Sequence, residues 1–310
     1  MQKNKKTLIV IAGPTAIGKT ALAIKVAQHY QTEIISADSR QFFKEMSIGT
    51  AKPSKEELSQ AKHHFIDSHS IQEEVSVGSF EKEAISKIEA LFVEHDVLVM
   101  VGGSGLYINA VLFGFDELPK ADENLREQLN QQLTAEGIEK LQIQLKELDP
   151  LYYSEVDIQN PQRIIRALEV CMSTGKPFSS FRKTEAKNRS FESIIIGLNT
   201  DRTKLYDRVN HRVDQMITAG LVEEVTNLKE FKDLNALKTV GYSEIFNYLE
   251  ENISLAEAIE KIKQNTRNFA KRQLTWFRKY PQINWFEPSD LENIIKTIER
   301  LFDEPYQRKN

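Results

Sequence analysis

The chain has 310 residues, 40% of them hydrophobic, and a formal net charge of −4. That length supports one large domain or two moderate ones with a sizeable core, and the mild acidity means that any nucleic-acid contact must come from a local basic patch. A single cysteine, Cys171, excludes an internal disulfide and fits a reducing compartment, and no run approaches the ~18 apolar residues of a membrane span, so a cytoplasmic protein is expected.

In chain order, TLIVIAG (7–13) is a short run apolar on both faces, as a central parallel strand is, and reads as a buried strand rather than a signal peptide. It leads into GPTAIGKT (13–20), a G-x-x-x-x-G-K-[ST] phosphate loop, and then into the helical pattern ALAIKVAQHY. EIISAD (33–38) reads as a second strand, SFEKEAISKIEALFVEHD (79–96) as an amphipathic helix, and VLVMVGGSG (97–105) as a third strand. This β-α-β-α-β order predicts a parallel sheet with helices on both faces. From about 120 to 190 the pattern is helical and rich in Gln, Glu and Lys. IIIGL (194–198) resembles a core strand again, followed by a helix from about 201. A long helix over about 254–279, an edge strand INWFEP (283–288), a helix over about 289–302 and a polar tail complete the chain. The expected fold is α/β: a P-loop nucleoside-triphosphate-hydrolase-like core, 1–118 and 191–310, with a parallel sheet flanked by helices, carrying a mostly helical insertion domain, 119–190.

The phosphate loop carries the strongest chemical signal. Gly13 and Gly18 let the backbone curl around an anion, the loop N–H groups and the helix N-terminus supply positive potential, Lys19 adds a point charge, and Thr20 is placed to ligate Mg²⁺. Asp38, at the end of the second strand, suits a general base or a holder of Mg²⁺-bound water, and equally a helix cap. The third strand ends GGSGLY without the carboxylate an NTP hydrolase usually places there. Its Gly102, Gly103 and Gly105 allow something bulky to approach the backbone.

The window 261–280 carries seven Lys or Arg and no acid. Lys263, Arg267, Lys271 and Arg278 fall on one helical stripe, with Phe269, Trp276, Phe277 and Tyr280 interleaved, a pattern suited to a phosphate backbone and unpaired bases. Arg163 with Arg166, and Arg208 with Arg212, sit one helical turn apart. Either pair suits a phosphate clamp or a surface face with carboxylate partners. His63, His64 and His69 lack metal-ligand spacing and are expected to have a structural or surface role rather than to bind a metal.

Taken together, GPTAIGKT, ISADSRQ, IGTAKP (48–53), HHFID, VGGSGLY, NPQRIIRALEV, VGY (240–242) and KRQLTWFR (271–278) occur in the order of the tRNA dimethylallyltransferase (tRNA isopentenyltransferase) family, which the chain resembles over nearly its whole length. The absence of a Cys/His finger resembles the short bacterial type. The resemblance implies transfer of a dimethylallyl group from dimethylallyl diphosphate to N6 of the adenosine at tRNA position 37, 3′ of the anticodon, in tRNAs reading codons that begin with U. The loop would then hold a leaving diphosphate.

By the same resemblance, Asp38, Thr20, Lys19 and Arg212 are the catalytic group, with Mg²⁺ as cofactor on Thr20 and, through water, on Asp38. Gly13, Pro14, Thr15, Ala16, Ile17, Gly18, Lys19 and Thr20 bind the diphosphate. For the tRNA anticodon stem-loop the matching positions are Asp38, Ser39, Arg40, Gln41, Ser104, Arg126, Gln162, Arg163, Ile164, Ile165 and Arg166, then Lys238, Thr239, Val240, Gly241, Tyr242 and Ser243, and finally Lys271, Arg272, Gln273, Leu274, Thr275, Trp276, Phe277 and Arg278. The family's partners are tRNA and dimethylallyl diphosphate, with no membrane, no obligate protein partner and a monomeric state. Departures from its usual residues occur at Phe42, Phe43, Ser104, Asn160, Lys238 and Ser243. The competing readings are a P-loop small-molecule or nucleotide kinase, a prenyltransferase acting on free adenylates, and a non-catalytic RNA-binding module.

Overall fold

The computed structural model describes residues 6–116, 118–120, 122–182 and 187–303. The extreme N-terminal residues and the expected polar tail lie outside the described residues. Thr7–Ala12 (β1) is buried along its whole length, as its unbroken aliphatic sequence requires. It leads through the phosphate loop into Lys19–His29 (α1). Ile34–Ser36 (β2), Lys55–Gln60 (α2), His63–His64 (β3), Val77–Leu91 (α3), Val97–Gly102 (β4) and Gly105–Phe113 (α4) follow. Ser76 opens α3 through a capping box, its Oγ accepting from Ser79 N–H at 3.0 Å.

The segment Phe113–Asn188 forms a compact unit of its own. It contains Glu123–Glu136 (α5), Ile138–Leu148 (α6), Pro150–Glu155 (α7) and Pro161–Thr174 (α8). Asn160 caps α8, its Oδ1 accepting from Arg163 N–H, and Pro161 occupies the first helical position where its missing N–H costs nothing. The core of this unit joins Leu129, Leu141, Leu145, Ile164, Ile165, Leu168 and Phe178.

Residues Met1–Leu112 and Arg189–Asn310 make up the other unit. Its second part runs Glu192–Leu198 (β5), Arg202–Thr218 (α9), Leu221–Asn227 (α10), Tyr242–Leu249 (α11), Leu255–Phe277 (α12), Asn284–Phe286 (β6) and Leu291–Asp303 (α13). The sheet order is β3-β2-β4-β1-β5-β6, and every pairing is parallel. β1 therefore lies at the centre, and its carboxyl end delivers the phosphate loop to the middle of the sheet edge where α/β folds bind ligands. The core joins Ile9, Ile11, Val99, Val101 and Ile196 to Leu22 and Val26 of α1 and Ile294 and Ile298 of α13.

Two strand expectations change. β2 ends at Ser36, two residues before Asp38, because Asp38 turns the chain by accepting from the N–H of Arg40 at 3.0 Å and of Gln41 at 3.3 Å. His63 and His64, expected to be structural or surface residues, form a two-residue edge strand on β2, and His64 Nε2 sits 2.5 Å from Glu33 Oε2. No helix of the described residues is long and apolar enough to cross a membrane.

Within the helical unit, Glu169 is fully enclosed. Its Oε1 accepts from Asp122 N–H at 2.9 Å and Arg166 Nη1 at 2.7 Å, and its Oε2 from Arg126 Nε at 3.0 Å and Nη2 at 2.7 Å. Removing an enclosed carboxylate strands its partners. Glu169→Ala is expected to cost about 3 kcal/mol of stability in urea denaturation; a loss within about 0.5 kcal/mol, the usual range for an ordinary surface change, would show that the cluster does not hold the unit.

Candidate active site

The loop after β1 is shaped by its backbone. Gly18 has φ +102° and Ala16 φ +62°, both in the left-handed region. A side chain at Gly13 would come within 2.9 Å of the Leu198 carbonyl, so glycine is needed there for packing against β5. α1 begins at Lys19 with no side-chain cap and no acid in its first turn. Its N-terminal N–H groups and the positive end of its dipole are therefore left for an anion.

Cations surround this loop, each leaning on a carbonyl. Lys19 Nζ donates to Pro14 O at 2.7 Å, Arg208 Nη1 to Ile17 O at 3.2 Å, and Arg212 Nη2 to Ala51 O at 3.3 Å with Nη1 3.4 Å from Thr15 Oγ1. Lys19 keeps some exposed surface, but its amine is enclosed: burial first, then Arg212, pulls its pKa down to about 7 against the opposing pull of Asp38. Burial likewise lowers the Arg212 and Arg40 guanidiniums, with Asp38 countering in both cases. Spacing left two arginine pairs open as clamps. The structure turns Arg208 and Arg212 to the loop, whereas Arg163 is exposed in the helical unit and Arg166 is spent on Glu169 and the Pro119 carbonyl.

Asp38 is the carboxylate among these charges. It is half-buried, and its Oδ1 accepts the two amides that turn the chain, while Oδ2 accepts no hydrogen bond from the described residues. Asp38 thus turns the chain through Oδ1, and its other oxygen is left to other partners. Ser104 Oγ accepts from Ser39 N–H at 3.1 Å, tying the end of β4 to the turn after Asp38. Tyr107 stands beside Asp38 and Arg40. Burial raises its phenol pKa against Arg40. Tyr107 is signalled in the sequence only by its place at the end of VGGSGLY.

The glycines after β4 make room for the protein itself. A Cβ at Gly102 would strike the Ala37 carbonyl, one at Gly103 the Gln273 amide, and one at Gly105 the Trp276 indole. Gln273, expected to meet RNA, is buried and bridges inward: its Oε1 accepts from Thr15 N–H and its Nε2 donates to Gly103 O, both at 2.9 Å.

Several other expected RNA contacts have buried side chains. The side chains of Ile164 and Ile165 belong to the core of the helical unit, Phe277 is 2% exposed, and Leu274 packs on the main core. Tyr242 is fully enclosed, and its hydroxyl donates to Glu224 at 2.6 Å, while Gly241 beside it is buried. These are apolar or tethered members of otherwise exposed motifs. Gln162, Arg163, Lys238, Lys271, Arg272, Thr275 and Arg278 remain exposed, and Ser39, Arg40, Gln41, Ser104, Arg126, Arg166, Thr239, Val240, Ser243 and Trp276 are partly so.

The basic stripe of α12 divides in two. Lys263 pairs with Asp214 at 2.8 Å and Arg267 donates to Asn210 at 2.6 Å, both on α9. Beyond them, Lys271, Thr275 and Arg278 line a cavity of about 250 Å³ together with Asn199, Thr200, Arg202, Leu205, Tyr206 and Leu274. Arg202 lies over the Tyr206 ring, 5.1 Å from its centre. This lining holds three cations and no acid.

The family model of IPP transferases matches residues 41–280. The chain belongs to the IPP transferase family. A tRNA dimethylallyltransferase of Christiangramia forsetii is 58% identical over 94% of this chain and 97% of its own, and one of Flavobacterium johnsoniae is 53% identical over 94% and 96%. Among solved structures, a full-length tRNA isopentenylpyrophosphate transferase from Bacillus halodurans superimposes with a TM-score of 0.72 at 36% identity, covering 96% of this chain and 97% of that one. A eukaryotic dimethylallyltransferase captured acting on tRNA gives 0.77 at 25% identity, covering 98% and 81%. The fold is the P-loop-like fold of these prenyl-transferring enzymes, and the sequence expectations of α/β class, family and enzyme type agree with these findings.

Among the described residues no group of three or more His, Cys, Asp or Glu gathers as a metal site. The oxygens of Thr20 and Asp38 are hard donors, which suits a divalent ion that takes most of its ligands from phosphate and water.

The lowered Lys19 pKa has a measurable consequence. The folded state disfavours the ammonium, so the penalty is full below pH 7 and is relieved as pH rises from about 7 toward the unfolded value near 10.5. Lys19→Met is expected to be more stable than the wild type by roughly 1–3 kcal/mol at pH 6.5, with the gap closing by pH 10. Urea denaturation across that range checks it, and a gap independent of pH would mean the amine is solvated.

Proposed function

We propose that this chain transfers a dimethylallyl group from dimethylallyl diphosphate to the exocyclic N6 amine of the adenosine at tRNA position 37, in tRNAs that read codons beginning with U, and that it does so in the cytoplasm. The observation that carries the reading is the pairing of an uncapped phosphate loop, ringed by Lys19, Arg208 and Arg212, with the Asp38 carboxylate, in a chain of this family.

In this reading the diphosphate sits on the loop N–H groups and the N-terminus of α1. The allylic C–O bond breaks as the N6–C bond forms. Negative charge grows on the departing diphosphate, where Lys19, Arg212 and the loop amides stabilise it because they are already in place. The N6 amine must lose a proton as it becomes bonded to carbon, and Asp38 Oδ2 is the acceptor available. The products are N6-dimethylallyladenosine and diphosphate. Thr20, and Asp38 through water, would hold Mg²⁺, which would supply further charge neutralisation on the diphosphate. An adenosine in an anticodon stem-loop must leave its stack to reach such a site. Its flanking nucleotides would meet Ser39, Arg40, Gln41 and Ser104 near Asp38. The cationic face of Lys271, Arg272 and Arg278, and in the helical unit Arg126, Gln162, Arg163 and Arg166, would hold the phosphate backbone. A kinase reading lacks support from β4, which ends without a carboxylate at Gly102 and Gly103.

The test is incubation of the protein with dimethylallyl diphosphate, Mg²⁺ and an anticodon stem-loop bearing adenosine at position 37, followed by mass spectrometry of the nucleosides. Product on that RNA and none on AMP is the expected result; product on AMP alone would reassign the acceptor. Asp38→Asn is expected to lower turnover by roughly 10²–10⁴-fold while diphosphate still binds. Unchanged turnover would remove Asp38 as the base.

A further inference from the structure

The segment 47–51 (Ser-Ile-Gly-Thr-Ala) is neither helix nor strand, yet it orients two side chains of the site. The Ala51 carbonyl accepts from Arg212 Nη2 at 3.3 Å and from Gln41 Nε2 at 3.1 Å, and the Thr50 carbonyl accepts from Gln41 Nε2 at 3.1 Å. Ala51 itself has φ +47°, a conformation that a residue with a Cβ keeps only where its surroundings fix it.

What fixes it comes from α10. Glu224 Oε2 accepts from the N–H of Ser47 at 3.0 Å and of Ile48 at 2.7 Å, and Oε1 accepts from Gly49 N–H at 3.0 Å. Three consecutive amides converging on one point form an anion-binding concavity, here filled by a carboxylate of the same chain. Tyr242 completes the tether by donating to Oε1 at 2.6 Å. Burial, and then the Glu224 charge, push its phenol far up, so it stays a donor. Its ring lies against Gly49, where any Cβ would overlap it. The carboxylate therefore meets four donors, three of them on the segment whose far end aims Arg212.

We propose that Glu224, held by Tyr242, is a positioning residue for the leaving group: by pinning the amides of residues 47–49 it fixes the Ala51 carbonyl that aims Arg212 at the phosphate loop. This rests on the diphosphate reading of Arg212 given above. Glu224→Gln replaces one acceptor oxygen by an amide that faces a backbone N–H, so the segment loses part of its tether without losing volume.

The experiment is a double-mutant cycle read by calorimetric titration with inorganic diphosphate and Mg²⁺, using the wild type, Glu224→Gln, Arg212→Ala and the double variant. Glu224→Gln is expected to weaken diphosphate binding roughly tenfold in the wild-type background and less than about twofold beside Arg212→Ala. In turnover its KM for dimethylallyl diphosphate rises while the KM for the RNA stays unchanged. Equal losses in both backgrounds, or no loss in either, would overturn the proposal, since a merely stabilising carboxylate has no reason to depend on Arg212. Should Glu224→Gln fail to fold, Tyr242→Phe keeps the carboxylate and the ring, and a smaller loss with the same dependence on Arg212 is expected. Failure of the functional reading looks different. A wild type that binds diphosphate but prenylates no RNA would remove the acceptor and leave this cycle intact, while a wild type that binds no diphosphate would remove the donor and this proposal with it.

Discussion

Like charges gathered around an uncapped helix end are the constraint to which the rest of this core answers. Lys19, Arg208 and Arg212 would repel one another in a low-dielectric site. The folded chain tolerates them because each reaches a carbonyl, those of Pro14, Ile17 and Ala51, and because Asp38 stands opposite. A cost remains: burial first, and then Arg212, draw the Lys19 amine down to about 7. A bound polyanion would relieve the repulsion, satisfy the α1 amides and restore the ammonium at once, so folding stability and anion affinity are linked at this loop.

The loop does not hold its own shape. Its Thr15 amide is taken by Gln273, which also holds the Gly103 carbonyl, so the C-terminal half of α12 clamps the ends of β1 and β4 together. The glycines after β4 follow from this clamp, because Gln273 and Trp276 occupy the space their side chains would need. α12 thus has two faces at one level. One locks the loop from behind, and the other presents Lys271, Thr275 and Arg278 to a cavity without an acid. Anchoring the basic face on the same helix that fixes the loop keeps both in register.

Much of this was legible in the sequence where the determinants are local. β1, β4 and β5 announce themselves as aliphatic runs between turn residues, and the loop is a motif because its binding groups are backbone amides set by Gly13 and Gly18. β3 was not legible, since two histidines on an edge carry no periodicity. β2 was read too long because Asp38 continues the strand's polar end while in fact turning the chain. For the arginines, spacing was symmetrical: Arg163 with Arg166 and Arg208 with Arg212 look alike until tertiary structure turns one pair to the loop. Glu224 carried no signal, since beside Glu223 it reads as a first-turn acid of α10 and its partners are amides about 175 positions away. Motifs taken whole also mix exposed and buried positions. Ile164, Ile165, Tyr242 and Phe277 belong to RNA-facing stretches by resemblance, yet they are the buried positions that keep those stretches in place.

The helical unit repeats the same economy of charge with the signs reversed. Glu169 is fully enclosed, while the Arg126 and Arg166 side chains it holds keep 43% and 27% of their surface exposed. One carboxylate between two guanidiniums gives these three groups a net positive charge, with both guanidinium side chains partly exposed. Each long side chain has already lost much of its rotamer freedom to Glu169, so a phosphate meeting them need not order them again. For the RNA contact proposed for these arginines, the buried acid is therefore a support that fixes direction at the expense of part of the charge. That trade favours a partner carrying many phosphates, because a small uniform attraction per contact is recovered over several contacts, whereas misdirected arginines would lose each one.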